Sequence, residues 1–521
     1  MSVAVADHHA FLLAAIAIGL ILAAHLARLN WVLGGTPSAI RKIADNSWSR
    51  TLLLATYKRI QANPITTKTY AGRIPPKLNR RYIVTGGSGL VGDYIVQQLL
   101  QRGQRPDSIR IVDYRAPRRG KQPHAGDLAA KVGFVQADIS SADSTDLAFS
   151  KPWDPSVASL PLTVFHTAAV IVPSDRSKLT YAFCEAVNVK GTQHVLDAAR
   201  RAGADVLVST TSASINIRPV EFWRAPWKTW SRSESRWPAH YWQTLDERDF
   251  FAPLRAHDGY YSNYAVSKAA AERIVCGANS SGLRTGCIRP ANGIYGCSSF
   301  SDNTVGGPLN IELLPEWSSH VVQSFVHGSN AAIAHLNLEA VLANPDSSTA
   351  PQAGRPFVVT DPNPPIPYGS LYRLIGTLAD TPFRTMHVPP ILMLLVCHVV
   401  EWYILLHARF PLARKILPPI TGDVKHVQPA LLSICTHLVA SNAVAGQPVA
   451  AGGLGYSGVI TTLEGMAQEM VWWNHAHASA RAAGETKVYQ SSVSLAEEIQ
   501  RAAGAGANTR WRLDIAADGR S

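Results

Sequence analysis

The feature that most constrains this chain is a glycine-rich turn, Thr85-Gly-Gly-Ser-Gly-Leu-Val-Gly92, set between segments of different hydrophobic period. Tyr82-Ile-Val-Thr85 is short, apolar and β-favouring. Val91 to Leu100 repeats apolar residues at helical spacing, so Gly86, Gly89 and Gly92 fall where a strand becomes a helix. Glycine there lets the backbone approach a pyrophosphate and lets the helix pack closely on its strand. The first helical residues, Leu90 and Val91, present free N–H groups to the phosphate. A second strand, Ser108-Ile-Arg-Ile-Val-Asp113, ends in an acid 21 residues after Gly92, where a carboxylate accepts hydrogen bonds from adenosine ribose hydroxyls. That favours NAD, while Arg115, able to cover a 2′-phosphate, keeps NADP open. The alternative for the glycine run alone is an ordinary tight turn.

The pattern continues downstream. Val132-Gly-Phe-Val-Gln-Ala-Asp138 reads as a third strand, with Asp138 and Ile139 placed for the adenine end of the cofactor; the plainer reading is a solvated turn acid. Thr163-Val-Phe-His-Thr-Ala-Ala169 closes on small residues, Thr167, Ala168 and Ala169, past which the nicotinamide half runs, with His166 read as packing rather than as a base. Asn188-Val-Lys-Gly-Thr192 opens a helix. Asn188 either holds backbone beside the cofactor or caps that helix. Strands alternating with helices specify an α/β fold, a Rossmann-like doubly wound parallel sheet, followed by a smaller C-terminal substrate domain.

Tyr264-Ala-Val-Ser-Lys268 carries the chemistry. Four residues apart on a helix, the two side chains share a face, and the ammonium is expected beneath the phenol ring. A phenol with a reference pKa of about 10 is a weak base, and a nearby cation favours the phenolate. The strand Asp205 to Ser214 supplies a hydroxyl for the substrate oxygen. Ser212 is preferred, then Thr211 and Ser214; five of the six residues from Ser209 to Ser214 are hydroxylic, so a one-residue slip changes the choice.

Taken in order, TGGSGLVG (85–92), FHTAA (165–169), NVKGT (188–192), STTSAS (209–214), YAVSK (264–268) and RPANGIYG (289–296) resemble an extended short-chain dehydrogenase/reductase of the 3β-hydroxysteroid dehydrogenase group, which includes the decarboxylating sterol-4α-carboxylate 3-dehydrogenases. The resemblance implies Ser212 as catalytic serine, Tyr264 as general acid/base, Lys268 as its activator, and Pro290 in the cofactor set. It implies NAD-dependent oxidation of the 3β-hydroxyl of a sterol-like small molecule, with loss of a 4α-carboxylate as carbon dioxide. Alternatives are a coupled Δ5-Δ4 isomerisation, a triterpenoid or meroterpenoid dehydrogenase, and a non-catalytic cofactor-binding scaffold. No metal is required. The chain departs from the group in the 52 residues separating Ser212 from Tyr264, an interval longer than the group's own. Within it, the insertion 216–258 carries Trp223, Trp227, Trp230, Trp237 and Trp242 interleaved with Arg218, Arg224, Lys228, Arg232 and Arg236. It caps an apolar substrate, rests on a membrane, or packs as an ordered loop; aromatic residues among arginines also stack on bases, but no nucleic-acid fold frames them.

Residues Ala10 to Ala27 form an apolar run of 18 residues, nearly enough to cross a hydrocarbon layer of roughly 30 Å. Arg28, Arg41, Lys42 and Arg50 follow, which places the catalytic part in the cytosol, with the endoplasmic reticulum membrane the expected location. A net charge of +12 fits an anionic membrane surface. Ile391 to Leu406 is also apolar, but His398 and Glu401 make spanning costly, favouring a helix in the interface or over the substrate pocket. The expected plan is an anchor (1–27), a basic linker (28–79), a mainly NAD-binding domain (80–290), a mainly substrate domain (291–477) that returns to the main sheet, and a polar tail (478–521). Expected partners are the membrane and either a second copy of the chain or other membrane-bound sterol enzymes.

Overall fold

Five apolar runs end within a residue or two of one another along a common edge, and this shared edge positions the site. The computed structural model describes residues 2–117, 129–297, 304–309, 311 and 313–482. Seven strands, β1 (Arg81–Thr85), β2 (Ile109–Asp113), β3 (Gly133–Gln136), β4 (Leu162–His166), β5 (Ala204–Thr210), β6 (Arg284–Pro290) and β7 (Pro356–Val359), form one parallel sheet in the order β7-β6-β5-β4-β1-β2-β3. Thr85 pairs with Val112 on one side and with His166 on the other. Between β1 and β4 the direction of winding reverses, which opens a crevice at the carboxyl ends of the strands.

The inner strands are buried on both faces, and Tyr82, Ile83, Val84, Val164, Phe165, Val206 and Val208 are wholly inaccessible. This explains their unbroken apolar sequences. Of the seven strands, only β3, at the edge, has exposed positions, Gly133 and Gln136 at its two ends. Five helices matter for the site: α1 (Ser2–Leu33), α2 (Arg50–Ala62), α3 (Leu90–Gln101), α4 (Gly191–Arg201) and α5 (Asn263–Gly277). Three more complete the body: α6 (Gly328–Leu342), α7 (Pro390–Arg409) and α8 (Thr462–Ala482).

One expectation about the plan needs correction. Residues 28–79 are not simply a basic connection, because α1 runs on to Leu33 and α2 buries Leu53 and Ile60, seven residues apart on one face, in a cluster with Met466 and Met470 of α8. The insertion 216–258, for which a packed ordered loop is one of three readings, also contributes a strand. Its segment Trp242–Leu245 is a strand paired in parallel with His437–Ala440, within a second sheet that also contains Val322–Gln323 and Ile366–Pro367. Cutting out residues 220–245 would therefore remove a strand from the second sheet. Of the expected tail, residues 483–521 lie outside the described residues.

Candidate active site

The turn after β1 is glycine-rich because backbone crowds it. Gly86 has φ of +71°, and a Cβ there would lie 2.5 Å from the Ala168 backbone nitrogen; one on Gly92 would lie 2.4 Å from the Gly86 carbonyl oxygen. Gly87 is equally constrained, at 2.8 Å from Ile111 Cγ2, although the spacing rule singles out its neighbours. Gly89 is less so, at 3.2 Å. Leu90 and Val91 form the first turn of α3, with N–H groups facing the turn's end of the crevice. Thr167 closes the other side, its backbone and hydroxyl both donating to the Thr85 carbonyl at 3.0 and 2.8 Å.

Asp113 buttresses this turn. Its two carboxylate oxygens accept from the backbone N–H groups of Ser88 at 3.0 Å and Arg115 at 3.1 Å. Burial pushes its carboxyl up, and those backbone donors pull it back. Each oxygen keeps a second lone pair for a hydroxyl. Two other expected cofactor residues are occupied differently. One Asp138 oxygen takes both the backbone N–H and the hydroxyl of Ser140, at 2.9 and 2.8 Å, so the acid serves its own turn. Ile139 is buried with its side chain against Gly191. Pro290 is buried at the end of β6.

Beyond β5 the hydroxyls separate by direction. Thr210 Oγ1 meets His335 Nε2 at 2.7 Å and Thr211 Oγ1 donates to Glu272 at 2.8 Å, whereas the Ser212 hydroxyl is near enough to Tyr264 to lower its phenol. Ser214 shares a 2.7 Å hydrogen bond with the Ser212 hydroxyl. Thr211 is thus bonded away from the phenol. Tyr264 lies in the first turn of α5, which is capped by Ser262 accepting from the Ala265 N–H. Burial holds the phenol well above its ordinary range, and the hydrogen bond with Ser212 draws it back down.

Lys268 follows one turn later. Burial lowers its ammonium to about 8 against the pull of Cys287 and Glu272. Its Nζ donates to the Thr210 carbonyl at 2.9 Å, so the ammonium rests on the end of β5 rather than beneath the phenol as expected. A buried ammonium needs an acceptor, and this carbonyl is the one within its reach. Asn188 fixes the surroundings. It exchanges both amide hydrogen bonds with the Val170 backbone, at 2.9 and 3.0 Å, and donates to Ser267 Oγ at 2.9 Å, tying the loop after β4 to α5. Its amide is spent on protein groups, which makes it a positioning residue. His166 is buried between the hydroxyls of Thr85 and Thr192, and burial drives its imidazole down to about 3, consistent with packing rather than proton transfer.

A buried ion pair supports this arrangement from behind. Arg289 binds Glu272 through Nε and Nη2 at 2.8 and 2.5 Å, and through Nη1 reaches Asp249 of the insertion at 2.7 Å. Motif reading passed over Glu272, yet its place four residues after Lys268 puts it on the same face of α5.

The 3-beta hydroxysteroid dehydrogenase/isomerase family is matched over residues 83–221, which include the glycine turn, Asp113, Asn188 and Ser212. Over that stretch the chain is similar to the 3-beta hydroxysteroid dehydrogenase/isomerase family. It is similar to the Arabidopsis thaliana 3beta-hydroxysteroid-dehydrogenase/decarboxylase isoform 2, with 24% identity over 77% of this chain and 64% of the relative. The mouse 3 beta-hydroxysteroid dehydrogenase type 7 is 28% identical over 41% of this chain and 50% of its own. The decarboxylating sterol-4-alpha-carboxylate 3-dehydrogenase of Saccharomyces cerevisiae is 26% identical over 54% and 71%. The chain thus spans less than two thirds of the first two. Among solved structures, the UDP-glucose-4-epimerase of Stenotrophomonas maltophila superposes with a TM-score of 0.48 at 15% identity, over 77% of this chain and 99% of that one.

The loop after β4 also meets the second apolar helix. Arg176 forms a bidentate pair with Glu401 of α7, at 2.5 and 2.7 Å, and Trp223 Nε1 donates to His398 Nε2 at 3.1 Å. The two polar residues that interrupt α7 therefore attach it to the catalytic body, with Leu394 and Cys397 buried beneath it. Asn263, beside Tyr264, donates to the Ser177 carbonyl at 2.9 Å and through its own N–H to the Asp175 carbonyl, so this same loop borders the start of α5.

Proposed function

We propose that the protein is an NAD-dependent dehydrogenase acting on the 3β-hydroxyl of a sterol-like alcohol. The observation that carries this reading is the buried Tyr264 phenol with the Ser212 hydroxyl near enough to lower it and Lys268 one helical turn away, beside a glycine turn too crowded for any side chain at Gly86 or Gly92. The residues fit the dinucleotide: the start of α3 offers N–H groups to a pyrophosphate, and Asp113 offers carboxylate lone pairs to the ribose diol. NAD bound there supplies the hydride acceptor. The protein's own part is to hold the alcohol oxygen on Ser212, to take its proton on Tyr264, and to favour the phenolate with Lys268. When the substrate bears a 4α-carboxylate, oxidation yields a β-keto acid, and carbon dioxide leaves because the new ketone accepts the electron pair. Relatives named as decarboxylases and as sterol-4-alpha-carboxylate 3-dehydrogenases support that second step. No side chain is needed for it beyond those that hold the ketone.

The protein is expected to be anchored by α1, which is long and apolar enough to cross a membrane, with its body on the cytosolic side of the endoplasmic reticulum. Incubation with NAD and a panel of 4α-carboxysterols, 4-desmethyl sterols and 3β-hydroxy-5-ene steroids, followed by product masses, separates the outcomes. Loss of carbon dioxide together with two hydrogens supports the proposal; loss of two hydrogens alone with appearance of a conjugated enone marks oxidation with isomerisation; binding without turnover of any alcohol overturns it. Parallel titrations should show NAD binding more tightly than NADP, because Asp113 repels a 2′-phosphate. Asp113→Ser should narrow that gap, and tighter NADP binding by the unaltered protein would refute the cofactor preference.

A further inference from the structure

Residues 11–24 of α1 are exposed throughout, but at Leu29, Val32 and Leu33 the helix is buried against the body. At that change of environment the surface it meets belongs to the tryptophan-rich insertion. Arg28 donates through Nε to the Thr229 carbonyl at 3.0 Å, and its guanidinium lies 4.2 Å from the Trp31 ring and 5.5 Å from that of Trp230. Arg236 lies over the same Trp31 ring at 6.0 Å. We propose that this insertion is a bilayer collar: Trp31, Trp227 and Trp230, with Arg28 and Arg236, lie in the headgroup layer of an anionic membrane around the base of α1. The proposal rests on α1 as the anchor and is independent of the redox chemistry.

Three observations carry it. First, the rings are turned outward rather than packed. Trp31, Trp227 and Trp230 are 59%, 77% and 58% exposed, and of the insertion's five tryptophans only Trp237 is buried, stacked on Tyr241 at 5.6 Å. An indole carries a large apolar face and one N–H donor, which suits the boundary between hydrocarbon and water better than either side of it. Second, the height is right. Seventeen residues separate Phe11 from Arg28, about 26 Å of helix at 1.5 Å per residue, so the cationic and aromatic ring lies roughly one hydrocarbon thickness below the start of the exposed run. Third, the charge is complementary. Arg218, Arg224, Lys228, Arg232 and Arg236 face only Glu221 and Glu234 between residues 216 and 242, five basic against two acidic. The neighbouring α7, whose Ile391 N–H donates to Asn30 of α1 at 3.1 Å, extends the surface with exposed Leu395, Val399 and Trp402.

The test uses the full chain in liposomes of phosphatidylcholine, with and without a third of phosphatidylserine. Lipids brominated near the head of the acyl chain should quench wild-type tryptophan emission more than that of the Trp227→Phe/Trp230→Phe variant, and phosphatidylserine should widen the difference. Turnover in detergent should be the same for both proteins. Equal quenching of the two proteins, with Trp227 and Trp230 instead quenched by iodide in the water, overturns the collar. Release of the protein by alkaline carbonate overturns the α1 anchor instead, so the two failures are separable.

Discussion

Tyr264→Phe should lower kcat by about a thousandfold while changing NAD affinity by less than about twofold, the signature of a lost proton acceptor rather than a lost binding contact. The phenol is buried and held above its usual range, so the protein has to make the phenolate accessible through neighbours. In the proposed reaction Ser212 lowers the phenol, and Lys268, held on the end of β5 one helical turn on, supplies a cation to the same site. Ser212→Ala should therefore cost less than Tyr264→Phe. Lys268→Met should move the alkaline rise of the oxidation rate to higher pH, because removing a cation raises the pH at which the phenol ionises. Turnover, its pH profile and cofactor titration on the same preparations check all three. Full activity in Tyr264→Phe would remove the assignment.

What the sequence made legible was whatever depends on local backbone demands. The glycines are spaced by contacts within one strand-turn-helix unit, so Gly86 and Gly92 could be read directly, and the clash distances at both positions agree with that reading. Asp113 and the Tyr264–Lys268 spacing are local in the same way. Choosing Ser212 over Thr211 was not, since both follow the same strand and only a partner 61 residues away, Glu272, turns Thr211 aside. Long-range pairing also hid the status of the insertion, because its strand Trp242–Leu245 is completed by His437–Ala440, nearly 200 residues later. At Asp138 one oxygen of an acid at the sheet edge is taken by its own turn, as Ser140 two residues on could have suggested. Glu401 within an apolar helix was readable as a cost, but its compensation by Arg176 across 225 residues was not.

The second large effect concerns that hidden support. Glu272→Ala should destabilise the folded protein by about 3 kcal/mol, because Arg289, 1% exposed, would lose its bidentate partner and keep Asp249, the Asp246 carbonyl and a long contact to Asn216 Oδ1, all through Nη1. Truncating one member of a buried pair leaves the other's desolvation uncompensated. Replacing both with apolar residues of similar length, Glu272→Leu with Arg289→Met, should recover most of the loss. Stability and catalysis should then part company. Glu272 also accepts the hydroxyl of Thr211 at 2.8 Å, which fixes the turn that aims Ser212 at Tyr264, and an apolar pair cannot replace that acceptor. The double variant should thus melt near the wild-type temperature yet turn over substrate more slowly at unchanged NAD affinity, while Glu272→Gln, which keeps an acceptor oxygen, restores part of kcat. Melting curves in detergent beside kcat and KM read both quantities. A double variant with wild-type kcat would show that the Thr211 contact does not set the register of the catalytic serine, and a Glu272→Ala protein as stable as wild type would show that Asp249 alone compensates Arg289.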